Sequence, residues 1–193
     1  MKIGLFFGSF NPIHNGHLML ANYFLEYTDI QRVWFVVSPQ NPFKEDKELL
    51  DKYQRLHMVR LAIEGLEPQY EASSIEFDLP KPSYTVKTMA YLTDKYPEHK
   101  FVILTGVDNF VTLDKWYNYE TLAQLYQFYV FPRKGVNLNN FNVKCKYKLC
   151  KAPEIEISST FIRKSIAEAK KLNFFLPPKV FKYIEEMQFY KKK

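Results

Sequence analysis

The sequence has little cysteine, little glycine and no long apolar run. Cys145 and Cys150 are the only cysteines, and 6 glycines occur among 193 residues. Two thiols in a chain of this length argue against a disulfide scaffold and favour a reducing compartment, so we expect a cytoplasmic protein. No stretch approaches the ~18 apolar residues of a membrane helix, and the first ten residues are too short and too glycine-rich for a secretory signal. We therefore expect no membrane association.

The chain also lacks the sequence patterns of several common ligand-binding folds. The GxGxxG and GxxxxGK[ST] fingerprints are missing after the first apolar run, and no GxSxG motif accompanies it. No zinc-finger, helix-turn-helix or RNP-like pattern accompanies the formal charge of +6. This charge would attract nucleotides or nucleic acids, but a solvated basic surface ending in Lys191–Lys193 explains it equally well. We expect no nucleic-acid partner.

Short apolar runs alternate with segments of helical periodicity along the chain. The expected strands are Lys2–Phe7, Arg32–Val37, Ser74–Phe77, Phe101–Thr105 and Phe128–Phe131. The expected helices are 14–27, 51–65, 84–96, 118–126, 159–171 and 178–187, and 134–144 is an expected surface loop. Apolar strands separated by helices are typical of a parallel sheet covered on both faces. The sequence therefore predicts an α/β protein with a Rossmann-like, doubly wound parallel sheet in a single domain over 1–193, including a small C-terminal helical extension over about 158–193.

Four residues that suit turns follow the expected strands. Gly8, Ser38, Gly106 and Pro132 each come directly after an apolar run. Parallel α/β sheets bind ligands outside the carboxyl ends of their strands. We therefore expect the loops at these four positions to line one cleft.

The segment from Gly8 to His17 connects the first expected strand to the first expected helix. Gly8 permits a sharp turn and a close approach to a ligand. His14 and His17 are three residues apart and therefore share a helix face, and Gly16 leaves room between them. A helix N-terminus also offers free N–H groups and partial positive charge, which suit phosphate. The segment indicates a phosphate site beside two imidazoles, with metal ligation and simple helix capping as the alternatives.

A second segment with hydroxyl side chains lies near the end of the chain. Ser158, Ser159 and Thr160 precede an apolar-periodic run, and Arg163 follows about one turn later. This is an N-cap pattern, and a helix start with hydroxyls and an arginine is a second natural phosphate cradle. Taken alone, the segment is also consistent with a plain capped helix that carries a surface arginine.

Together these segments resemble a known superfamily. Gly8-x-Phe10-x-Pro12-x-His14-x-Gly16-His17 resembles the GxFxPxHxGH motif of the HxGH nucleotidyltransferases, and residues 158–163 resemble their SSTxxR motif. The further segments 83–88 (SYTVKT), 106–108 (GVD), 115–120 (KWYNYE) and 131–135 (FPRKG) are similar to bacterial nicotinate-nucleotide adenylyltransferases, in the same order and nearly end to end.

The resemblance implies a reaction between ATP and nicotinate mononucleotide in NAD biosynthesis. It assigns catalysis to His14, His17 and Arg163. It assigns ATP binding to Gly8, Ser9, Phe10, Gly106, Asp108, Ser158, Ser159 and Thr160. It assigns mononucleotide binding to Lys44, Tyr84, Thr85, Trp116 and Arg133. Mg²⁺ is expected to arrive with the ATP phosphates rather than at a protein metal site. The oligomeric state is left open, with a homo-oligomer among the options.

The expected mechanism is direct in-line attack of the mononucleotide phosphate on the α-phosphorus of ATP. This nucleophile is already an anion at neutral pH, so catalysis reduces to positioning and charge stabilisation. His14 and His17 would act as hydrogen-bond donors, cationic if phosphates surround them. Asp108 is a candidate contact for the ribose or for water on Mg²⁺, or else a plain helix cap.

The sequence departs from the family pattern at three positions. Ser9 and Asn11 replace a more usual Thr and Asp, with similar polar groups. Phe43 stands where the family's PxxxPPHK loop has a histidine, and the adjacent Lys44 is a phosphate contact or a solvated loop residue. Other members of the superfamily, such as pantetheine-phosphate adenylyltransferase or cytidylyltransferases, lack the SYTxxT and WYxYE segments. A nucleotide sensor that binds without reacting is the remaining alternative, and it would not need the His14–His17 pair.

Overall fold

The computed structural model describes residues 1–39, 49–138 and 141–191. Six strands form one sheet: β1 (Lys2–Gly8), β2 (Arg32–Val37), β3 (Tyr70–Ser73), β4 (Lys100–Gly106), β5 (Gln127–Phe131) and β6 (Lys146–Leu149). All neighbouring strands are parallel, in the order β3-β2-β1-β4-β5-β6. This is the strand order of the doubly wound Rossmann fold, so the fold prediction is confirmed.

Seven helices connect or follow these strands. They are α1 (Asn15–Tyr27), α2 (Lys52–Ile63), α3 (Thr85–Lys95), α4 (Val107–Phe110), α5 (Tyr119–Leu125), α6 (Ser159–Ala167) and α7 (Pro178–Glu186). Each long helix predicted from periodicity is present. Most bounds agree within two residues.

The sheet buries both of its faces because its strands are apolar at successive positions. In β2, Val33, Phe35 and Val37 point into one core, which also contains apolar residues of α1, α2, α6 and α7. Trp34 and Val36 point into a second core, shared with α3, α4 and α5. Successive side chains of a strand point to opposite faces, so a strand that is apolar throughout needs helices on both sides.

The prediction of a strand over 74–77 was wrong. Strand β3 comes four residues earlier, and Ile75–Phe77 form a turn of 3₁₀ helix. In that turn the Phe77 N–H donates to the Ser74 carbonyl, and the Glu76 side chain points inward instead of lying on a strand face. The apolar residues of this segment therefore belong to a turn and not to a strand.

Two other differences concern the second half of the chain. Strand β6 was not predicted because all four of its residues are exposed and two are lysines, which is typical of a protected sheet edge. Helix α6 ends at Ala167, before the expected residue 171. There the Lys170 N–H bonds back to the Ser165 carbonyl, and Ala169 takes a positive φ of 55°.

The topology places one crevice at the middle of the sheet. The chain proceeds outward from β1 to β3 and then returns to place β4 beside β1. The connections that leave β1 and β4 therefore separate on opposite sides, which opens a crevice at the carboxyl ends of these two strands.

Candidate active site

Two adjoining cavities occupy this crevice. The larger, of about 1010 Å³, is lined by the loop after β1, the start of α6 and the segment after β5. The smaller, of about 450 Å³, is lined mainly by the starts of α3 and α4 and by the segment 112–117. Gly8, Thr105 and Asp108 line both. The two cavities therefore meet where β1 and β4 end.

The loop after β1 turns tightly around Phe10. Phe10 has a φ of 45° and is 2% exposed, with its ring packed against Phe35 and His17. A Cβ on Gly8 would lie 2.9 Å from this ring, so glycine is required for the loop to close. Its buried ring therefore fixes the shape of the loop, and Phe10 is one of the residues that line the larger cavity.

His14 and His17 lie together in the wall of the larger cavity. Their rings stack with centroids 3.7 Å apart, and the His14 backbone N–H donates to His17 Nδ1 at 3.2 Å. That bond requires the neutral His17 ring to carry its proton on Nε2. In this tautomer the ring N–H of His17 is on Nε2.

His14 is almost completely buried, and this decides its protonation. Its side chain is 3% exposed, and its Nδ1 has no hydrogen-bond partner among residues 1–39, 49–138 and 141–191. Burial, aided by the Arg133 charge, lowers the pKa of His14 to about 3. The imidazole is therefore neutral at physiological pH, while a cationic ring surrounded by phosphates stays a prediction.

Gly16 serves the packing of His14. A Cβ at this position would lie 3.0 Å from both His14 Nδ1 and Ile155 Cγ2. The room that the sequence suggested beside Gly16 is therefore filled by the His14 ring and by Ile155. The absence of a side chain at Gly16 therefore lets the His14 ring pack beside it.

The start of α6 contacts the first motif directly. Ser158 caps the helix by accepting from the Phe161 N–H at 3.1 Å, as its position predicted. The Ser159 hydroxyl donates to the Pro12 carbonyl at 2.9 Å, and Arg163 Nη1 donates to the Asn11 carbonyl at 3.0 Å. The structure thus brings together two motifs that lie far apart in sequence. Ser158, Ser159, Thr160 and Arg163 all line the larger cavity.

Arg133, which the resemblance assigned to mononucleotide binding, is placed by the end of β5. It lines the larger cavity, beside the histidines, and not the smaller one. Its Nε is 3.9 Å from Asp108 Oδ1, and its Nη1 donates to the Ile155 carbonyl at 3.1 Å. Strand β5 ends at Phe131 beside Gly106, which directs the following residues across Asp108 toward α6.

Gly106 permits the close approach of Asp108. A Cβ on Gly106 would lie 2.3 Å from Asp108 Oδ1, too close for any side chain. Asp108 stands in the first turn of α4, at the junction of the two cavities. Its carboxylate can therefore reach a ligand in either one.

The smaller cavity has an aromatic wall beside a helix N-terminus. Trp116 is half-buried and lines it, together with Tyr84 and Thr85 at the start of α3. The Tyr84 ring stacks on Tyr117 with centroids 4.3 Å apart. A planar ring with an anionic substituent suits this combination, because the aromatic wall can stack and the helix start favours negative charge.

Sequence reasoning missed Glu76, which lies in the wall of this smaller cavity. It is 2% exposed, and its Oε1 accepts from the Thr88 hydroxyl at 2.9 Å. Burial raises its pKa, opposed by the hydroxyls of Ser38, Thr88 and Ser83. Glu76 stands within the segment expected to be a strand, and no pattern there signals a buried carboxylate.

Two expectations concern residues outside the described part of the chain. Lys44 was expected at the mononucleotide phosphate, and Phe43 was noted as a departure from the family loop. Both lie within 40–48, which the structure does not describe.

Within the described ranges, no group of three or more His, Cys, Asp or Glu side chains is arranged to hold a metal ion. No helix there is long and apolar enough to cross a membrane.

The comparisons with known proteins identify the family. The model of the cytidylyltransferase-like family matches residues 5–165. The probable nicotinate-nucleotide adenylyltransferase of Flavobacterium psychrophilum is 52% identical over all of both chains, and that of Flavobacterium johnsoniae is 50% identical over the same extent. The chain belongs to the nicotinate-nucleotide adenylyltransferase family.

The fold of this family member is also that of a distant solved structure. The Plasmodium falciparum nicotinic acid mononucleotide adenylyltransferase complexed with NaAD superposes with a TM-score of 0.79. The match covers 98% of this chain and 97% of that one, at 20% sequence identity. The nicotinate-nucleotide adenylyltransferase fold is therefore present from end to end of the chain.

Proposed function

We propose that this chain transfers the adenylyl group of ATP to nicotinate mononucleotide, which gives nicotinate adenine dinucleotide and pyrophosphate. The observation that carries the proposal is the pair of cavities that meet at Gly8 and Asp108. One suits a triphosphate and the other a planar anionic ring. The reacting phosphates would lie at their junction, beside the two histidines.

The larger cavity is suited to ATP because its polar groups attract phosphate. Arg133 and Arg163 supply positive charge, and the start of α6 supplies N–H groups and the Thr160 hydroxyl. The Ser159 hydroxyl already donates its hydrogen to the Pro12 carbonyl. It can donate to a phosphate only if this bond to Pro12 is broken. We therefore assign Arg133 to the ATP side.

In the proposed reaction, an oxygen of the mononucleotide phosphate attacks the α-phosphorus of ATP. The bond from that phosphorus to the bridging oxygen breaks, and pyrophosphate leaves with the electron pair. His17 would donate from Nε2 to a phosphate oxygen as charge develops, and neutral His14 would support the His17 ring by stacking. Positive charge comes from the two arginines, so a protonated imidazole is not required.

Magnesium would be held mainly by the phosphates of ATP, where it neutralises their charge. The donor set fits this role, because the described residues offer no group of three or more His, Cys, Asp or Glu side chains that could hold the ion. Asp108 stands at the junction of the two cavities and faces Arg133 at 3.9 Å, and its carboxylate would contact the ion through water, since Mg²⁺ usually keeps several water ligands.

The smaller cavity is suited to the nicotinate group. Trp116 offers a face for the cationic pyridine ring, and the Thr85 N-terminus of α3 favours the carboxylate over a neutral amide. We also propose a reducing, cytoplasmic setting, in which Cys145 and Cys150 remain free thiols.

The test is pyrophosphate release with ATP and Mg²⁺, comparing nicotinate mononucleotide with nicotinamide mononucleotide. Release with the acid form alone supports both the reaction and the nicotinate pocket. Equal rates with both would retain the transfer but contradict the pocket assignment. No release with either, despite tight ATP binding, would favour the non-catalytic sensor.

A further inference from the structure

Arg55 on α2 is a buried cation that forms no salt bridge within the described ranges. It is 1% exposed, and its four hydrogen bonds all go to backbone carbonyl oxygens. Nη1 donates to Ser9 and to Ser38, each at 2.7 Å, Nε donates to Leu50 at 2.8 Å, and Nη2 donates to Pro39 at 3.1 Å.

A buried arginine ordinarily needs a carboxylate, because desolvation of a charge is costly. Burial lowers the pKa of Arg55, opposed by Tyr190 and Asp51, but a guanidinium stays charged in proteins. An apolar side chain could fill the same space without this desolvation cost. The position of the four carbonyl oxygens explains why an arginine is present instead.

Two of the four acceptors, Ser9 and Ser38, line the cavities. Ser9 lines the larger cavity and Ser38 the smaller one, and a single guanidinium nitrogen joins their carbonyl oxygens. The Ser38 N–H also donates to the Gly8 carbonyl at 2.9 Å. Arg55 itself lines neither cavity. Arg55 therefore fixes the distance between the two loops from a position outside both cavities.

The bond to Ser9 also orients the next amide. The Ser9–Phe10 peptide is trans, so its N–H points opposite to the carbonyl that faces Arg55. Phe10 itself is one of the residues that line the larger cavity. In the described ranges the Phe10 N–H donates to no other residue. A cationic donor on a carbonyl also strengthens the N–H at the other end of the same peptide.

We propose that Arg55 is a positioning residue, which holds the two loops so that the mononucleotide phosphate and the α-phosphorus of ATP are aligned. The proposal rests on the proposed function, since alignment matters only if two substrates react at the junction. Transfer between bound groups is sensitive to such placement, and a displacement of about 1 Å costs on the order of 10²-fold in rate.

The experiment compares Arg55→Lys with Arg60→Lys. Lysine keeps the charge at position 55 but cannot span four carbonyls with a planar fork. Arg60 is an exposed arginine on the same helix, so its replacement is the matched control. Pyrophosphate release gives kcat, and calorimetry gives the Kd and stoichiometry for each substrate alone.

For Arg55→Lys we expect kcat to fall about ten-fold or more, with each Kd within about three-fold of wild type and full stoichiometry. Arg60→Lys should match wild type. An unchanged kcat would overturn the proposal. A fall in kcat that merely follows a fall in binding stoichiometry would overturn it too, since that indicates loss of folded protein.

Two further measurements keep the proposal testable if lysine is not tolerated. Arg55→Ala assayed with methylguanidinium should recover kcat without a matching change in Kd, and no recovery would count against positioning. The Phe10 amide resonance, recorded without substrates, should shift in Arg55→Ala and not in Arg60→Lys. If wild-type protein releases no pyrophosphate, the proposed function fails, while this resonance still tests the contact itself.

Discussion

Replacing His14 with asparagine should remove a large part of the acid sensitivity of this fold. In the unfolded chain the imidazole takes up a proton below its ordinary pKa of 6.5, whereas in the fold it stays neutral down to a pKa of about 3. Unfolding therefore takes up a proton between these values, and the free energy of unfolding falls as the pH falls through this window.

The size of the effect follows from the two pKa values. At pH 7 the unfolded imidazole is mostly neutral, and the contribution is close to zero. At pH 5 it is almost fully protonated in the unfolded chain and unprotonated in the fold, which lowers the free energy of unfolding by about 2 kcal/mol. The His14→Asn variant lacks this term, although the loss of packing lowers its stability at every pH.

Urea unfolding followed by circular dichroism at pH 7 and pH 5 provides the measurement. The quantity compared is the change in unfolding free energy between the two pH values, so a constant packing loss cancels. His57→Asn is the control, because His57 is exposed on α2 and lies outside both cavities. The same pH dependence in wild type and His14→Asn would refute the neutral, buried state of His14.

Three other substitutions test individual parts of the site. Trp116→Ala should weaken the binding of nicotinate mononucleotide by about 0.5–2 kcal/mol and leave the binding of ATP nearly unchanged, as measured by calorimetry. Trp116→Phe should restore most of the mononucleotide binding. Equal losses of binding for both substrates would indicate a structural role for Trp116. His17→Ala should lower kcat by ~10²-fold if its Nε2 donates to the transition state, and near-normal turnover would remove it from the mechanism. Gly106→Ala should raise the KM for ATP several-fold, because the new Cβ would displace the Asp108 carboxylate, and an unchanged KM would show that this carboxylate is not needed.

Much of the fold could be predicted from the sequence because its strands are strongly apolar. Arg32–Val37 was recognised at its full length, and the helices with apolar periodicity were recognised close to their bounds. The secondary-structure predictions failed where the hydrophobic pattern does not reflect the backbone conformation. Strand β6 is exposed and carries two lysines, and the turn at Ile75–Phe77 contains apolar residues at positions typical of a strand. The conformation of such segments depends on tertiary hydrogen bonds, which cannot be inferred from a single sequence.

The candidate site was predicted to a similar extent. The two motifs identified the histidines and the α6 start, because glycine, proline and hydroxyl residues at fixed spacing have local roles. The cavity that Arg133 lines depends on how β5 meets β4, which is a property of the assembled sheet. Arg55 shares a helix face with Met58 and Val59, a pattern that signals burial. Only the fold shows that its partners are carbonyls of two loops.

The loop from Ser9 to Pro12 has a consequence for the order in which the site is completed. It is synthesised well before its partners, because Ser159, Arg163 and Tyr190 donate to it from 147 to 179 positions further along the chain. The Tyr190 hydroxyl donates to Asn11 Oδ1 at 2.8 Å. A nascent chain can form the first strands while these partners are still inside the ribosome. Nucleotide-binding competence should therefore appear late in synthesis, and chains that stall before residue 159 should accumulate in a partly folded, inactive form.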